Sequence, residues 1–362
     1  MNLLKPRTSL FYTRSPLLSR LAGIGGLRWL SSPSAVRSNR IIESSHQGTT
    51  KKISIVGSGV VGASSAYALM LRNVAPTVML CDAQPGFAHG QVMDMIDCQF
   101  LTTTKVRTAT HKECGQADII VITAGVNQKP GETRLQLIEQ NYHIMKDVIQ
   151  SMSPIRPDAK ILVVANPVDL LTYFAQKLTN LPHNQVFGSG TFLDSLRLRN
   201  ILANHLGFNP TAIHSYVLGE HGDAQFVAWS CANVGNMPLL SFPQVQRLDL
   251  KKIERQAARK AYNIINLKGS TYYGIGACVS SLCESIVNDV GRIQPVSCWS
   301  ERHGLYLSLP AAIGANGVEW IADIPLNRDE QARLNSTAES MRRILNSFEE
   351  SAHQDLSVSA SG

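Results

Sequence analysis

The chain has 362 residues and is 44% apolar, which is enough for one large domain or two ordinary ones with a full hydrophobic core. No uninterrupted apolar stretch reaches the roughly 18 residues that a membrane-spanning helix needs, so no membrane segment is predicted. The net charge of +7 comes from seven basic residues that precede the first acid, Glu43; the rest of the chain is neutral, and no nucleic-acid partner is predicted.

Residues 1–42 are basic, rich in Ser and Leu, and free of Asp and Glu. This composition is typical of a mitochondrial transit peptide, and the sequence RWLS at 28–31 resembles the cleavage context of a matrix protease. A secretory signal is not expected, because no continuous apolar core follows the first charges. The leader therefore predicts import into the mitochondrial matrix; a disordered arm on a cytoplasmic protein is the alternative.

The seven cysteines are scattered along the chain and include no C-x-x-C pair. This usage favours free, buried thiols in a reducing compartment over disulfides or zinc ligands. No cluster of His, Cys and Asp has metal-ligand spacing, so we predict no metal site.

A dinucleotide-binding unit begins with the first strand of the body, at 53–56. The strand runs into the turn GSGVVG and then into a segment, 63–71, with helical apolar spacing, which is the order that a phosphate site needs. We expect Gly57 to permit the tight turn, Gly59 to let the backbone approach the pyrophosphate, and Gly62 to let helix and strand pack closely. The amides at the start of the helix would then face the phosphate anion.

The next predicted strand, Thr77–Cys81, ends at Asp82. A carboxylate at this position can bond the hydroxyls of the adenine ribose and would repel a 2′-phosphate. The sequence therefore predicts NAD rather than NADP as the cofactor.

Further strands are predicted at 117–123 and 160–165, with a short helix at 90–100 between the second and third strands. Strands that alternate with helices predict an α/β protein with a Rossmann-type, doubly wound parallel sheet. Ligands of such sheets lie beyond the carboxyl ends of the strands. Asn166 follows the strand at 160–165 and is placed at that edge.

The segment 125–134 follows the strand at 117–123 and is also placed over the cofactor. Its glycines and charged residues predict a mobile lid with Gly125 and Gly131 near the hinges and Arg134 at its end. An amphipathic helix is predicted directly after it, over 135–152.

The glycine-rich segment 188–191 marks a domain boundary, and a helix is predicted after it over 192–206. Asp194 and Arg197 are three residues apart and share one face of this helix. His221 lies between glycines in the segment 219–223, so bulky neighbours do not cover its ring.

Two more helices are predicted in the second half of the chain. The first is amphipathic and covers 248–267, and the second opens with a capping box formed by Asn327 and Glu330. The tail, 351–362, carries no packing signal and is predicted to be disordered.

Reduction by a nicotinamide cofactor requires a protein that binds the acceptor, polarises its carbonyl and supplies a proton. His221 is the predicted proton donor and acceptor, with Asp194 fixing its tautomer. Arg197 could grip a substrate carboxylate through two parallel hydrogen bonds. Arg134 would add positive charge beside the carbonyl oxygen when the lid closes.

Each of these residues also has a purely structural explanation. An Asp-x-x-Arg pair is commonly a surface ion pair, an isolated His is often structural, and a loop Arg is usually solvated. Their joint occurrence after a dinucleotide fingerprint favours the catalytic interpretation.

With these motifs the chain resembles the NAD-dependent lactate/malate dehydrogenase family, over about 51–349. The motifs are GSGVVG, AGVNQKPGETR, VANPVD, GSGTFLDSLRLR, GEHGD and KGSTYYGIG. The resemblance implies an NAD-binding Rossmann domain over 51–187, a second α+β substrate domain over 188–350, and a homotetramer. It also implies the roles given above for His221 and its neighbours.

The resemblance implies further site residues. Asn166 would bind both the substrate and the nicotinamide ribose, Thr271 would line the substrate pocket, and Ile275 would contact the cofactor. Gln128 would face the variable end of the substrate, where malate dehydrogenases place an arginine for the second carboxylate of oxaloacetate. An uncharged Gln favours pyruvate and lactate, because a second carboxylate would stay unpaired in a closed site.

Two other functions stay open at this point. One is a malate dehydrogenase or another 2-hydroxy acid dehydrogenase; the other is an NAD-binding structural or regulatory protein without catalysis. The chain departs from the family pattern at Ala224, at Tyr272-Tyr273 and at 97–99, which indicates a divergent member.

Overall fold

The structure is a computed structural model that describes residues 50–127, 131 and 133–359, with side chains as far as residue 350. The predicted leader and Gln128 lie outside the described residues. The described residues belong to one compact unit that begins at His46.

Fourteen strands lie in the described part of the chain: β1 (Lys52–Val56), β2 (Thr77–Cys81), β3 (Lys105–Thr108), β4 (Ile119–Ile122), β5 (Lys160–Val163), β6 (Val186–Gly188), β7 (Ile213–His214), β8 (Val217–Leu218), β9 (Phe226–Val227), β10 (Asn233–Val234), β11 (Met237–Pro238), β12 (Arg292–Ser300), β13 (Leu305–Gly314) and β14 (Gly317–Ile321). The same part contains ten α-helices: α1 (Val60–Leu71), α2 (Pro85–Ile96), α3 (His111–Cys114), α4 (Arg134–Met152), α5 (Val168–Thr179), α6 (Phe192–Leu206), α7 (Pro243–Gln246), α8 (Leu250–Lys268), α9 (Tyr273–Val287) and α10 (Arg328–Ser359).

Nine of the strands form one sheet in the order β3-β2-β1-β4-β5-β6-β12-β13-β14. The first six strands are parallel and have the order 3-2-1-4-5-6, which reverses direction beside β1. The predicted doubly wound parallel sheet is therefore confirmed.

The sheet does not end at the predicted domain boundary. β12 joins β6 with antiparallel pairing, with Ser297 opposite Gly188, and β13 and β14 continue the antiparallel part. The second part of the chain thus shares a sheet with the first, and two shorter sheets of β7, β10 and β11 and of β8 and β9 complete it.

Helices cover both faces of the large sheet, and successive side chains of its strands point to opposite faces and are buried on both. Ile53 and Ile55 of β1 belong to the core under α1 and α9, whereas Val56 belongs to the core under α4, α5 and α10. A third, smaller core packs α6 against α8. Burial on both faces makes the parallel strands almost entirely apolar, as observed.

Several helix bounds differ from the predicted ones. The helix predicted at 90–100 is α2, which begins at Pro85 because proline is favoured in a first helical turn. The helices predicted at 63–71, 135–152 and 248–267 are shifted by one to three residues at their ends, and the one predicted at 192–206 is confirmed as α6.

The last helix is longer than predicted. Its capping box is confirmed, since Asn327 and Glu330 each accept from the other's backbone N–H at 3.0 Å or less. The backbone of α10 then continues to Ser359, into the tail predicted to be disordered, because no Gly or Pro interrupts the sequence before residue 362.

The seven cysteines are free thiols. Among the described residues, no helix is both long enough and apolar enough to cross a membrane.

Candidate active site

The glycine turn between β1 and α1 has the geometry of a phosphate-binding loop. Gly57 has φ +98°, and a Cβ at Gly62 would overlap the carbonyl oxygen of Gly57, so neither position accepts a side chain. A Cβ at Gly59, in contrast, would meet no heavy atom within 4 Å. Gly59 is also the N-cap of α1 and has no side chain to bond the first amides, which leaves them available for an anion.

Asp82 faces this turn from the end of β2. Its Oδ2 accepts a hydrogen bond from the backbone N–H of Ser58 at 2.7 Å, and its Oδ1 accepts one from Gln84 at 3.0 Å. The carboxylate is thus fixed beside the glycine turn, where a ribose of a bound dinucleotide would lie. The turn, the free amides and Asp82 together fit NAD.

The lid begins at a residue that is tied to the neighbouring helix. The side chain of Asn141, which is buried in α4, accepts a hydrogen bond from Val126 N–H at 2.8 Å and donates to Val126 O at 3.1 Å. It also donates to the backbone of Asn166 at 2.8 Å. Asn141 therefore fixes the predicted hinge at Gly125 against the end of β5.

Arg134 lies in a helix rather than in the lid loop where it was predicted. It is the first residue of α4, because Thr133 and Gln136 form a capping box that starts the helix one residue earlier than predicted. Its guanidinium forms an ion pair with Glu220, whose side chain is only 5% exposed. This buried acid precedes His221 in the chain, so the pair places Arg134 beside the predicted proton donor.

His221, Asp194 and Arg197 form one connected cluster. The ring nitrogen Nδ1 of His221 lies 2.7 Å from Asp194 Oδ2, and Arg197 Nη1 donates to Asp194 Oδ1 at 3.0 Å. Asp194 and Arg197 are buried, whereas the His221 side chain is 28% exposed. Because Asp194 holds Nδ1, the other ring nitrogen, Nε2, is the one left for a substrate.

Two backbone contacts bring this cluster together. The hydroxyl of Thr191, at the N-cap of α6, donates to Val217 O at 2.5 Å, and the Ser195 hydroxyl accepts from Val217 N–H at 2.8 Å. These bonds fix the start of α6 against β8, which leads directly into the His221 segment. Asp194 on α6 and His221 after β8 thus lie on different elements, which are joined by these hydrogen bonds.

Each charge in the cluster favours the ionised form of its neighbour. Burial acts to raise the pKa of Asp194 and is the largest single influence, but the charge and hydrogen bond of His221, together with Arg197, outweigh it and leave the pKa below its ordinary value. Burial acts to lower the pKa of His221, but Asp194 and then Asp169 outweigh it, and the pKa is raised. The imidazolium form is therefore favoured, as a proton donor needs.

The other predicted site residues are placed by the structure as follows. Asn166 is exposed at the carboxyl edge of the sheet, next to the hinge held by Asn141. Thr271 lies between α8 and α9, and Ile275 of α9 packs against the core that contains β1 and α1. Burial raises the pKa of the Cys278 thiol of α9, and the nearby charges of Arg197 and Asp194 also act on it. In the described part of the chain, no group of three or more His, Cys, Asp or Glu is arranged for a metal ion.

Three residues of this site were not predicted from the sequence. Asp169 and Glu220 lie within the motifs VANPVD and GEHGD, and this position was the sequence feature that could have identified them as site residues. Asn141 is a polar residue on the apolar face of α4, and a buried amide in that position indicates a structural contact.

The fold and the cluster define a class of protein: an oxidoreductase that binds a dinucleotide at a Rossmann switch point and carries a histidine held by a carboxylate, a pair able to exchange a proton. Comparison with known proteins identifies the family. Residues 51–188 match the lactate/malate dehydrogenase NAD binding domain, and residues 191–352 match the lactate/malate dehydrogenase alpha/beta C-terminal domain. The chain belongs to the lactate/malate dehydrogenase family, and its cofactor is NAD.

Individual relatives agree with this assignment. The L-lactate dehydrogenase A of Rhizopus oryzae is 46% identical over 293 residues, which are 81% of this chain and 92% of the relative. The L-lactate dehydrogenase of Limosilactobacillus reuteri is 40% identical, with 81% of this chain and 94% of the relative covered. The crystal structure of a lactate dehydrogenase from a Medee basin deep-sea metagenome library has a TM-score of 0.80 at 36% identity and covers 83% of this chain and 99% of that one.

Proposed function

We propose that this protein is an NAD-dependent L-lactate dehydrogenase, which catalyses reversible hydride transfer between NADH and pyruvate to give (S)-lactate. The observation that carries the proposal is the connected cluster of His221, Asp194 and Arg197, at 2.7 and 3.0 Å, in a chain of the lactate/malate dehydrogenase family.

NAD supplies and accepts the hydride when it is bound, and the residues of the chain handle the proton and the charges. His221 would donate its Nε2 proton to the carbonyl oxygen of pyruvate during reduction and take it back during oxidation. Asp194 keeps the ring in the tautomer with the proton on Nδ1 and stabilises the imidazolium before the proton is given up. The carboxylates beside His221 raise its pKa, which favours the protonated donor.

The two arginines have different tasks in this mechanism. Arg197 is buried and uses one amino group on Asp194, so the rest of its guanidinium can bind the substrate carboxylate. Arg134 is 43% exposed and paired with Glu220, which precedes His221 in the chain. It would stabilise the negative charge that develops on the carbonyl oxygen in the transition state.

The test of the proposal is the initial rate of NADH oxidation with pyruvate and with oxaloacetate. We expect a clear preference for pyruvate, because Gln128 offers no positive charge to a second carboxylate. A preference for oxaloacetate would identify a malate dehydrogenase instead. Binding of NADH without turnover of either acid would indicate a structural or regulatory protein that has lost catalysis.

A companion measurement compares NADH with NADPH. The carboxylate of Asp82, held by two backbone amides, should disfavour the 2′-phosphate of NADPH by repulsion. Equal use of the two cofactors would refute the role assigned to Asp82.

The protein is proposed to be a homo-oligomer, and a tetramer by resemblance to its family. Support comes from apolar side chains that are exposed on α1, α8 and α9. They are Val60, Tyr67, Leu71, Tyr262, Ile265 and Tyr273. Ser64 of α1 donates to the backbone of Tyr272 at 3.1 Å, so the start of α9 lies against α1.

The leader is proposed to direct import into the mitochondrial matrix, with cleavage near Ser31. Support comes from its composition, since residues 1–42 contain no acid. Fusion of residues 1–45 to a fluorescent reporter tests the proposal. A diffuse cytosolic signal would favour the cytoplasmic alternative.

A further inference from the structure

Asp169 is a second buried carboxylate beside His221, and the mechanism above does not use it. It lies in the first turn of α5 and is 2% exposed. Its Oδ2 accepts a hydrogen bond from the backbone N–H of His221 at 2.8 Å, and its Oδ1 accepts one from the hydroxyl of Ser308 at 3.2 Å. Burying an ionised carboxylate is costly unless opposite charge and hydrogen bonds compensate, so the position of Asp169 requires a reason.

Charged groups meet the His221 segment from several elements. Asp169 from α5 and Asp194 from α6 bond His221 directly, and Arg197 from α6 bonds Asp194. Arg134 from α4 pairs with Glu220, the residue before His221 in the chain. β13 contributes only the uncharged Ser308, and Asp223 is exposed to solvent.

Two of these acids are already neutralised. Arg134 is paired with Glu220, and Arg197 is paired with Asp194. Asp169 has hydrogen bonds but no cation of its own among the described side chains. The group of charges is therefore neutral when His221 is protonated and carries one net negative charge when it is not.

We propose that Asp169 is a positioning residue, which fixes the backbone of His221 and supplies the charge that keeps its ring protonated until the proton is transferred. The inference rests on the proposed function, because it names His221 as the proton donor. Asp194 and Asp169 act on different parts of His221. Asp194 orients the ring through Nδ1, and Asp169 holds the backbone and adds negative charge near the ring. The direction of the His221 pKa, to which both carboxylates contribute, agrees with this division.

The test is the variant Asp169→Asn, which removes the charge and keeps the shape. The Asn oxygen can still accept from the His221 backbone, and its amide can donate to Ser308 instead of accepting from it. We expect the midpoint of the pH profile of kcat/KM for pyruvate to fall by about one pH unit, because loss of an opposite charge at short range has that effect. A purely structural role for Asp169 would lower the rate without moving the midpoint.

Two further variants make the result specific. Asp223→Asn removes an equal charge at an exposed position two residues from His221, where water screens it, and should move the midpoint by less than about 0.3 pH unit. Ser308→Ala removes one hydrogen bond from the Asp169 carboxylate and keeps its charge, so it should move the midpoint by less than Asp169→Asn does. A midpoint in Asp169→Asn that matches that of Asp223→Asn would overturn the proposal. If Asp169→Asn does not fold, Asp169→Ser removes the same charge with a smaller side chain, and an unchanged midpoint there would overturn it.

Failure of this inference can be distinguished from failure of the proposed function. The ring of His221 can be titrated by NMR in the full chain labelled with ¹³C-histidine, with its signal assigned by comparison with His221→Asn. This titration reports the effect of Asp169 even if the wild-type protein does not turn over pyruvate. A wild-type protein that reduces pyruvate, but whose His221 titrates identically in Asp169→Asn, would leave the proposed function intact and refute the role of Asp169.

Discussion

Arg197 and Arg134 both approach the reacting centre, but they are held in different ways. Arg197 is buried in the middle of α6 and shares the carboxylate of Asp194 with His221. Arg134 is at the first position of α4, next to a loop. In its ion pair with Glu220 the arginine side chain is exposed and the acid is buried. A buried, helix-held cation is suited to binding, whereas a cation at the end of a lid can respond to closure.

We expect Arg134→Gln to lower kcat by about 10² to 10³ and to raise KM much less, because it removes a charge that acts in the transition state. A change in KM alone would mean that Arg134 only binds substrate. Comparison of NADH with its deuterated form adds a second readout. An isotope effect that appears only in the variant would mean that hydride transfer has become limiting.

Arg197→Lys is expected to raise KM strongly, by about tenfold or more, because a point charge replaces a planar group that can make two parallel hydrogen bonds. The ammonium cannot contact Asp194 and substrate in the way the guanidinium can, so kcat should also fall, by a smaller factor. Steady-state kinetics with pyruvate measure both. An unchanged KM would show that Arg197 serves only to hold Asp194.

The pH dependence follows from the raised pKa of His221. Pyruvate reduction needs the protonated ring, so kcat/KM should be constant at low pH and fall tenfold per pH unit above a midpoint that lies higher than 6.5. Lactate oxidation needs the neutral ring and should rise through the same midpoint in the NAD complex. A midpoint at or below 6.5 in the reduction profile would contradict the favoured imidazolium.

The same shifts have consequences for stability. A group with a raised folded pKa stabilises the fold below its unfolded pKa and loses that contribution as the pH rises through the folded value, which is the case for His221. Asp194, with a lowered pKa, contributes above its unfolded value of 3.8 and loses that contribution as the pH falls further. The pair should therefore stabilise the fold most at pH values between the unfolded pKa of Asp194 and the unfolded pKa of His221. Urea unfolding at several pH values measures this.

At the scale of elements, two glycines of the same turn are expected to fail in different ways. A Cβ at Gly62 would overlap the carbonyl oxygen of Gly57, so Gly62→Ala should push α1 away from β1 and lower the thermal midpoint without any cofactor present. A Cβ at Gly59 would meet no heavy atom within 4 Å, so Gly59→Ala should leave that midpoint almost unchanged.

The cofactor separates the two variants further. The new methyl group of Gly59→Ala would lie where the pyrophosphate approaches the backbone, so NADH affinity should fall by about tenfold or more. Fluorescence titration with NADH measures this. Equal loss of apo-protein stability in both variants would contradict the division between packing at Gly62 and cofactor access at Gly59.

At the scale of the whole molecule, the exposed apolar side of α1 predicts association of chains. Tyr67 and Leu71 are exposed on α1, and an exposed apolar patch of this kind indicates a protein–protein contact. Light scattering should give a mass well above the 39.5 kDa of one chain, and Tyr67→Glu should shift it towards the monomer. The same change at Trp320 of β14, which is also exposed, is the matched control. A monomeric wild-type protein would refute the proposal.

Local patterns in the sequence were enough to predict part of this molecule. The β-branched strand, the glycine turn and the helix that follow one another from Ile53 to Leu71 are each specified by neighbouring residues, and so is the capping box of Asn327 and Glu330. No strand was predicted over β12 and β13, which place Pro295 opposite Pro310, and proline within a segment gives no local indication of a strand. The substrate contact of Gln128 and the import function of the leader stay predictions, because both lie outside the described residues.

Local patterns were enough to identify the cofactor motif, the alternation of strands and helices, and His221, Asp194 and Arg197 as candidate site residues, because each pattern involves neighbouring residues. The folded protein was needed to show that Asp169 holds His221 across 52 residues and that Glu220 pairs with Arg134. Contacts between distant residues depend on how the whole sheet and its helices pack, and no local spacing specifies them. The charge that surrounds the proton donor is therefore a property of the fold, although every group that supplies it can be seen in the sequence.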